Sequence, residues 1–114
     1  IKIGAAASRV DAARRVMRQI CQEAMADAAA GRIPDMEEKT RFRRDGAFAT
    51  NLCTEAVDLL YGASGAGALY NANPAQRRFR DAHAIAAHIA FSFDMAGAAY
   101  GRVMLGLDPD NPTL

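Results

Sequence analysis

The spacing of apolar residues along the chain predicts four helices and no strand. From about Ala5 to Gly31, the positions Ala6, Val10, Ala13, Met17, Ile20, Ala24 and Ala28 recur at intervals of three and four, so they share one helical face. Arg9, Arg14, Arg15, Arg18, Glu23 and Asp27 fall on the other face. Gly31 supplies a stop, and Pro34 bars continuation. A second helix is predicted from about Met36 to Ser64. Glu37 and Glu38 stand at its start, where the positive end of the helix dipole favours acids. Its apolar stripe is Ala49, Leu52, Cys53, Ala56, Leu59, Leu60 and Ala63. The arginines Arg41, Arg43 and Arg44 read as a solvated face or a subunit contact, with an anion site as the alternative.

The third helix has a well-marked start. Asn73 is a good N-cap, Pro74 suits the first helical position, and Gln76 stands where a capping box would place it. The pattern carries this helix to about Phe91. A short fourth helix runs from about Asp94 to Leu105, ended by Gly106 and followed by the irregular tail Asp108-Pro109-Asp110-Asn111-Pro112. Gly97 and Gly101 permit close packing of this helix. Between Gly62 and Asn73 the segment GASGAGALYNAN is too glycine-rich to sustain a helix. It is either a connector or a place where backbone approaches a ligand. It lacks the lysine of a phosphate-binding loop, and no strand precedes it as in a dinucleotide-binding turn. These lengths predict an all-α fold, an up-down helical bundle of three long helices and one short. Residues 1–114 form one domain.

Composition sharpens that picture. The chain has 26 alanines, no Trp and only 7% aromatic residues, the make-up of closely packed helices. Its 14 basic and 13 acidic residues nearly cancel, which argues against a phosphate-driven nucleic-acid binder. No apolar run approaches the roughly 20 residues that span a bilayer, so no membrane partner is expected, and the expected compartment is the cytoplasm. The chain opens on Ile1 inside a helical pattern, without Met, and so reads as the C-terminal part of something longer. Cys21 and Cys53 lie within helical patterns without CxxC spacing and read as small buried thiols in a reducing compartment, with a disulfide or metal pair as the alternative.

Candidate chemistry concentrates in the third helix. From Ala82 to Phe93 no residue is charged, and a helix apolar on every side is expected to be surrounded. His83 and His88 would therefore sit in a largely dry environment, where burial favours neutral imidazole. Five residues apart, they stand about 140° around a helix and cannot share a metal. No metal site is expected. Each histidine is either a core residue satisfied by a backbone carbonyl or a hydrogen-bonding or proton-accepting group for a substrate hydroxyl. Arg77 and Asp81, four apart, can pair.

The run from Asn73 to Ala82, NPAQRRFRDA, resembles the start of the last long helix in the C-terminal domain of the acyl-CoA dehydrogenase superfamily. The order of long helices, GASGAG loop, Arg80-Asp81-Ala82 helix and short helix extends the resemblance over nearly the whole chain. Within the superfamily the chain looks closest to the reduced-flavin-dependent monooxygenases. They share Gln76-Arg77, then Arg80-Asp81, then His88, and a tail like GLDPDNP. Many true dehydrogenases of the superfamily carry a catalytic glutamate where this chain has Ile89. The resemblance implies an oxygenase that takes reduced FMN or FAD from a separate flavin reductase and uses dioxygen to hydroxylate an aromatic substrate. It implies a catalytic role for His88, activating a phenolic hydroxyl or steadying the flavin-bound oxygen. It places Gly65 and Ala66 against the flavin phosphate and Ser92 at the site's edge. It also implies a homotetramer. The 114 residues alone are then expected to bind flavin weakly and catalyse nothing. The competing readings are an acyl-CoA dehydrogenase C-terminal domain and a non-catalytic helical oligomerisation module.

Overall fold

The computed structural model describes residues 1–114. Its backbone is α1 (Lys2–Ala30), α2 (Met36–Ala63), α3 (Pro74–Ala86) and α4 (Phe93–Met104), with single 3-10 turns at Ala66–Leu69 and Ile89–Phe91. The fold is all-helical, as the periodicity predicts. No helix is long and apolar enough to cross a membrane.

Helices α1 and α2 run antiparallel. Arg9 near the start of α1 meets Glu55 near the end of α2 at 2.7 Å, while Glu23 near the end of α1 pairs with Arg41 near the start of α2. The reversal between them is set by local chemistry. Gly31 takes the left-handed conformation (φ +66°) and its N–H returns to the carbonyls of Ala28 and Asp27. Asp35 then caps α2 in a full capping box: its carboxylate accepts the Glu38 N–H, and the Glu38 carboxylate accepts the Asp35 N–H, both at 2.9 Å. The Asp-x-x-Glu spacing that announces this box is present in the sequence.

Around α2 the other elements gather: α1 on one side, α4 and the Ile89–Phe91 turn on another, α3 near its C-terminal half. Ala47, Ala49 and Ala56 of α2 are buried, as are Ala6 and Ala13 of α1, Ala68, and Ala96 and Ala99 of α4. Small side chains at the contacts let helix axes approach closely, which explains the alanine excess in physical terms. Phe79 joins α3 to α2, its ring 4.4 Å from that of Tyr61 and 4.4 Å from that of His83.

Four expectations need correction. Of the predicted apolar stripe of α1, Met17, Ala24 and Ala28 are exposed, while Asp27 is buried. Ion pairs decide this. Asp27 takes Arg32 at 2.7 Å and Glu23 takes Arg41, which only the inward register allows. Gln76 makes no capping box; Asn73 caps the Ala75 N–H, and the Gln76 amide donates instead to the Leu69 carbonyl at 2.9 Å. Cys21 and Cys53 are exposed thiols, not buried ones, because α1 and α2 meet through alanines on neighbouring faces. Finally, α3 stops at Ala86 and does not continue to Phe91. The bundle thus has two long helices and two short ones.

Candidate functional site

The end of α3 is the point of interest, and its geometry starts with one backbone torsion. At His88 the chain leaves helical space (φ −69°, ψ 136°), and the imidazole Nδ1 accepts the N–H of Ala90 at 3.1 Å. The side chain thereby satisfies a donor that the broken helix would have left free. Ser92 repeats the device: extended backbone (ψ 108°), its hydroxyl oxygen accepting the Met95 N–H as the N-cap of α4. Neither Gly nor Pro marks this break, so periodicity alone runs through it.

The consequence for His88 is chemical. A ring nitrogen that accepts a backbone N–H carries no proton of its own, so the neutral imidazole holds its proton on Nε2. His88 is therefore a hydrogen-bond donor through Nε2, and Nδ1 is already engaged. Burial, expected from the apolar surroundings of His88 in sequence, is not found. His88 is exposed, as are Ile85 and Ile89 at 58% and 68%, because nothing in these 114 residues covers that side of α3.

His88 and Ser92 line one cleft of about 360 Å³, together with Arg43 of α2 and the tail residues Asn111, Pro112 and Thr113. The tail reaches this place by folding back along α4. Arg102 holds the Asp108 carbonyl at 2.6 Å, Asn111 accepts from both the N–H and the hydroxyl of Thr113, and Arg43 donates to the Thr113 carbonyl. Arg43 and the tail could not be assigned to the site from sequence; the GLDPDNP motif is visible, but its return across α4 is a tertiary event.

Gly65 and Ala66 lie elsewhere. Gly65 takes a positive φ of +65° with extended ψ, an arrangement that favours glycine, and Ala66 begins the 3-10 turn beside it. Both are exposed at the α2–α3 connection, and neither lines the His88 cleft. Within one chain the structure thus brings His88 and Ser92 together and leaves Gly65 and Ala66 as a separate place. His83 joins neither: its Nε2 contacts Asp58 Oδ1 of α2 at 2.7 Å. Arg77 and Asp81 pair at 3.6 Å on the surface of α3.

Residues 1–93 match the model of the acyl-CoA dehydrogenase C-terminal domain family. The chain is 32% identical over its full length to the oxygenase component of p-hydroxyphenylacetate 3-hydroxylase from Acinetobacter baumannii. It is 39% identical over 96% of its length to the flavin-dependent monooxygenase oxygenase subunit HsaA from Mycobacterium tuberculosis. It spans a little over a quarter of each of these relatives, 27% and 28%. Among solved structures, XiaF from Streptomyces sp., in complex with FADH2 and glycerol, superposes with a TM-score of 0.93 at 32% identity. That match covers 99% of this chain and 28% of XiaF.

Proposed function

Since the chain belongs to the acyl-CoA dehydrogenase C-terminal domain family, we propose that it is the C-terminal helical part of a flavin-dependent monooxygenase that hydroxylates an aromatic substrate. The observation that carries this reading is the likeness to the two oxygenase components over 96–100% of the chain. Ile89 supports it, because it occupies the position at which many dehydrogenases of the superfamily hold a glutamate base. A separate flavin reductase supplies reduced FMN or FAD, dioxygen is the co-substrate, and both components work in the cytoplasm. The exposed apolar residues Leu69 and Tyr70 before α3, and Ile85 and Ile89 at its end, support burial of apolar surface against further protein, including other copies in a homotetramer.

The residues present fit a flavin. The His88 cleft offers hydrogen-bond donors and no carboxylate, and Gly65 bares the backbone at a turn. When bound, reduced flavin supplies the electrons and, with dioxygen, the oxygen atom transferred. His88 is the residue we assign to the chemistry. Its Nδ1 is held by Ala90, so the tautomer is fixed before anything binds, and the remaining Nε2–H is the donor we assign to an oxygen on substrate or cofactor. Ser92 caps the start of α4 and lines the same cleft. Gly65 and Ala66 are assigned to the flavin phosphate, where a glycine backbone and small side chain allow close approach.

The test uses the full-length protein. Reduced flavin, dioxygen and a set of phenols should give hydroxylated product, while acyl-CoA with an artificial electron acceptor should give none. Oxidation of acyl-CoA without oxygen-dependent hydroxylation would replace this reading with the dehydrogenase one.

A further inference from the structure

We propose that the cleft between α2, the Ile89–Phe91 turn and the tail is an oxyanion site, with Arg43 as its counter-charge. The three arginines near the start of α2 have different fates. Arg41 pairs with Glu23. Arg44 pairs with Asp45 at 2.6 Å and lies 4.0 Å over the ring of Tyr100. Arg43, half-buried between them in sequence, has no carboxylate partner; its one protein acceptor is the Thr113 carbonyl.

A guanidinium has five N–H donors in a rigid fork, and a single neutral carbonyl satisfies one of them. Partial burial makes the remaining unpaired charge costly, and an anion entering the cleft relieves that cost. The rest of the lining agrees. His88 contributes its Nε2–H, and the Ser92 hydroxyl, whose oxygen accepts from Met95, keeps its own proton to donate. No Asp or Glu lines the cleft. Lys39, one turn before Arg43 and without an Asp or Glu partner, shares a second cleft with Arg43 and Thr113. Side-chain donors around a cation without a carboxylate partner, the Thr113 carbonyl and Asn111 Oδ1 being already engaged, select a carboxylate, phenolate or phosphate over a neutral group.

The ligand's source rests on the flavoenzyme reading; the site does not. Two oxyanions then come into question: one carried by an aromatic acid, and one carried by the flavin as its phosphate, which would move the phosphate from Gly65 and Ala66 to this cleft. Calorimetric titration of the full-length, flavin-free protein separates them through matched pairs, benzoate against benzamide and FMN against riboflavin. Arg43→Gln keeps an N–H for the Thr113 carbonyl while removing the charge, and Arg43→Lys restores the charge. In one of the pairs the anionic member should lose about tenfold or more in affinity in Arg43→Gln, recover in Arg43→Lys, and leave its neutral partner unaffected. Ser92→Asp, which preserves the cap and places a carboxylate in the cleft, should abolish the same binding. If neither pair distinguishes Arg43→Gln from the parent protein, or if Ser92→Asp binds the anion as well as the parent, the site is not an oxyanion site. Should the anion preference stand while the protein hydroxylates nothing, the flavoenzyme reading fails and the site remains.

Discussion

Nε2 of His83 on α3 meets Oδ1 of Asp58 on α2 at 2.7 Å, while the same imidazole packs at a tilt against the ring of Phe79. The two side chains are 42% and 49% exposed, so water competes for both. A double-mutant cycle with His83→Ala and Asp58→Ala should give a coupling below about 1 kcal/mol. Hydroxylation by the full-length protein should stay within twofold or so of the parent, since this pair ties two helices and faces no cleft with His88. A coupling several times larger, or a collapse of turnover, would assign His83 a role beyond packing.

Ala47 has no exposed surface at the centre of α2. Ala47→Leu forces about three extra carbons between helices that meet through alanine, and should destabilise by about 1–3 kcal/mol in denaturant titration. Ala98→Leu, on an exposed position of α4, serves as the control and should change little.

Acid should weaken the α1–α2 reversal within a defined window. Arg32 donates to both oxygens of Glu38 at 2.7 Å, and the Asp35 N–H adds a third bond. The Arg32 hydrogen bonds first, then that of Asp35, hold the Glu38 carboxyl at about 2 rather than the usual 4.5. With the folded-state value depressed, the unfolded chain takes up the proton first as pH falls. The stabilisation is therefore complete above about pH 4.5 and lost as pH drops towards 2. Glu23, lowered mainly by its hydrogen bond from Arg41, titrates in the same sense. Glu38→Gln should flatten the fall of the thermal midpoint across that window, and an unchanged slope would remove Glu38 from the account.

His88→Ala removes a donor whose tautomer the backbone has fixed. In the full-length protein we expect hydroxylation to fall on the order of a hundredfold, with more oxygen released as hydrogen peroxide. Nitrogen-15 NMR of the histidines should show the proton of neutral His88 on Nε2. A proton on Nδ1, or unaltered coupling in His88→Ala, would return this residue to a purely structural role.

The 114-residue segment by itself should bind reduced FMN weakly and form no product. Ile85 and Ile89 stand exposed beside His88, and an open apolar wall excludes little water from a bound ring. Tight binding with turnover by the segment alone would contradict this.

Read by itself, the sequence determined the all-α class, the four helices, the αL stop at Gly31 and the Asn73 cap, because periodicity and capping are local and repeat over many residues. It also carried the family, through NPAQRRFRDA and the histidine that follows. Three things were decided only by the tertiary structure. In α1 two registers competed after Ile20, one through Ala24 and Ala28 and one through Glu23 and Asp27. Arg41 and Arg32, from beyond the reversal, selected the polar one. At His88 a helix with no breaker ends because a side-chain nitrogen replaces a ladder bond where the chain turns to lay Phe91 along α2. Arg43 differs from Arg41 and Arg44 by its partner: Glu23 of α1 reaches Arg41, the adjacent Asp45 holds Arg44, and the tail's carbonyl reaches Arg43. Pattern fixes what a residue brings to a face, whereas charge pairing across distant segments decides which face turns inward and which cation is left free.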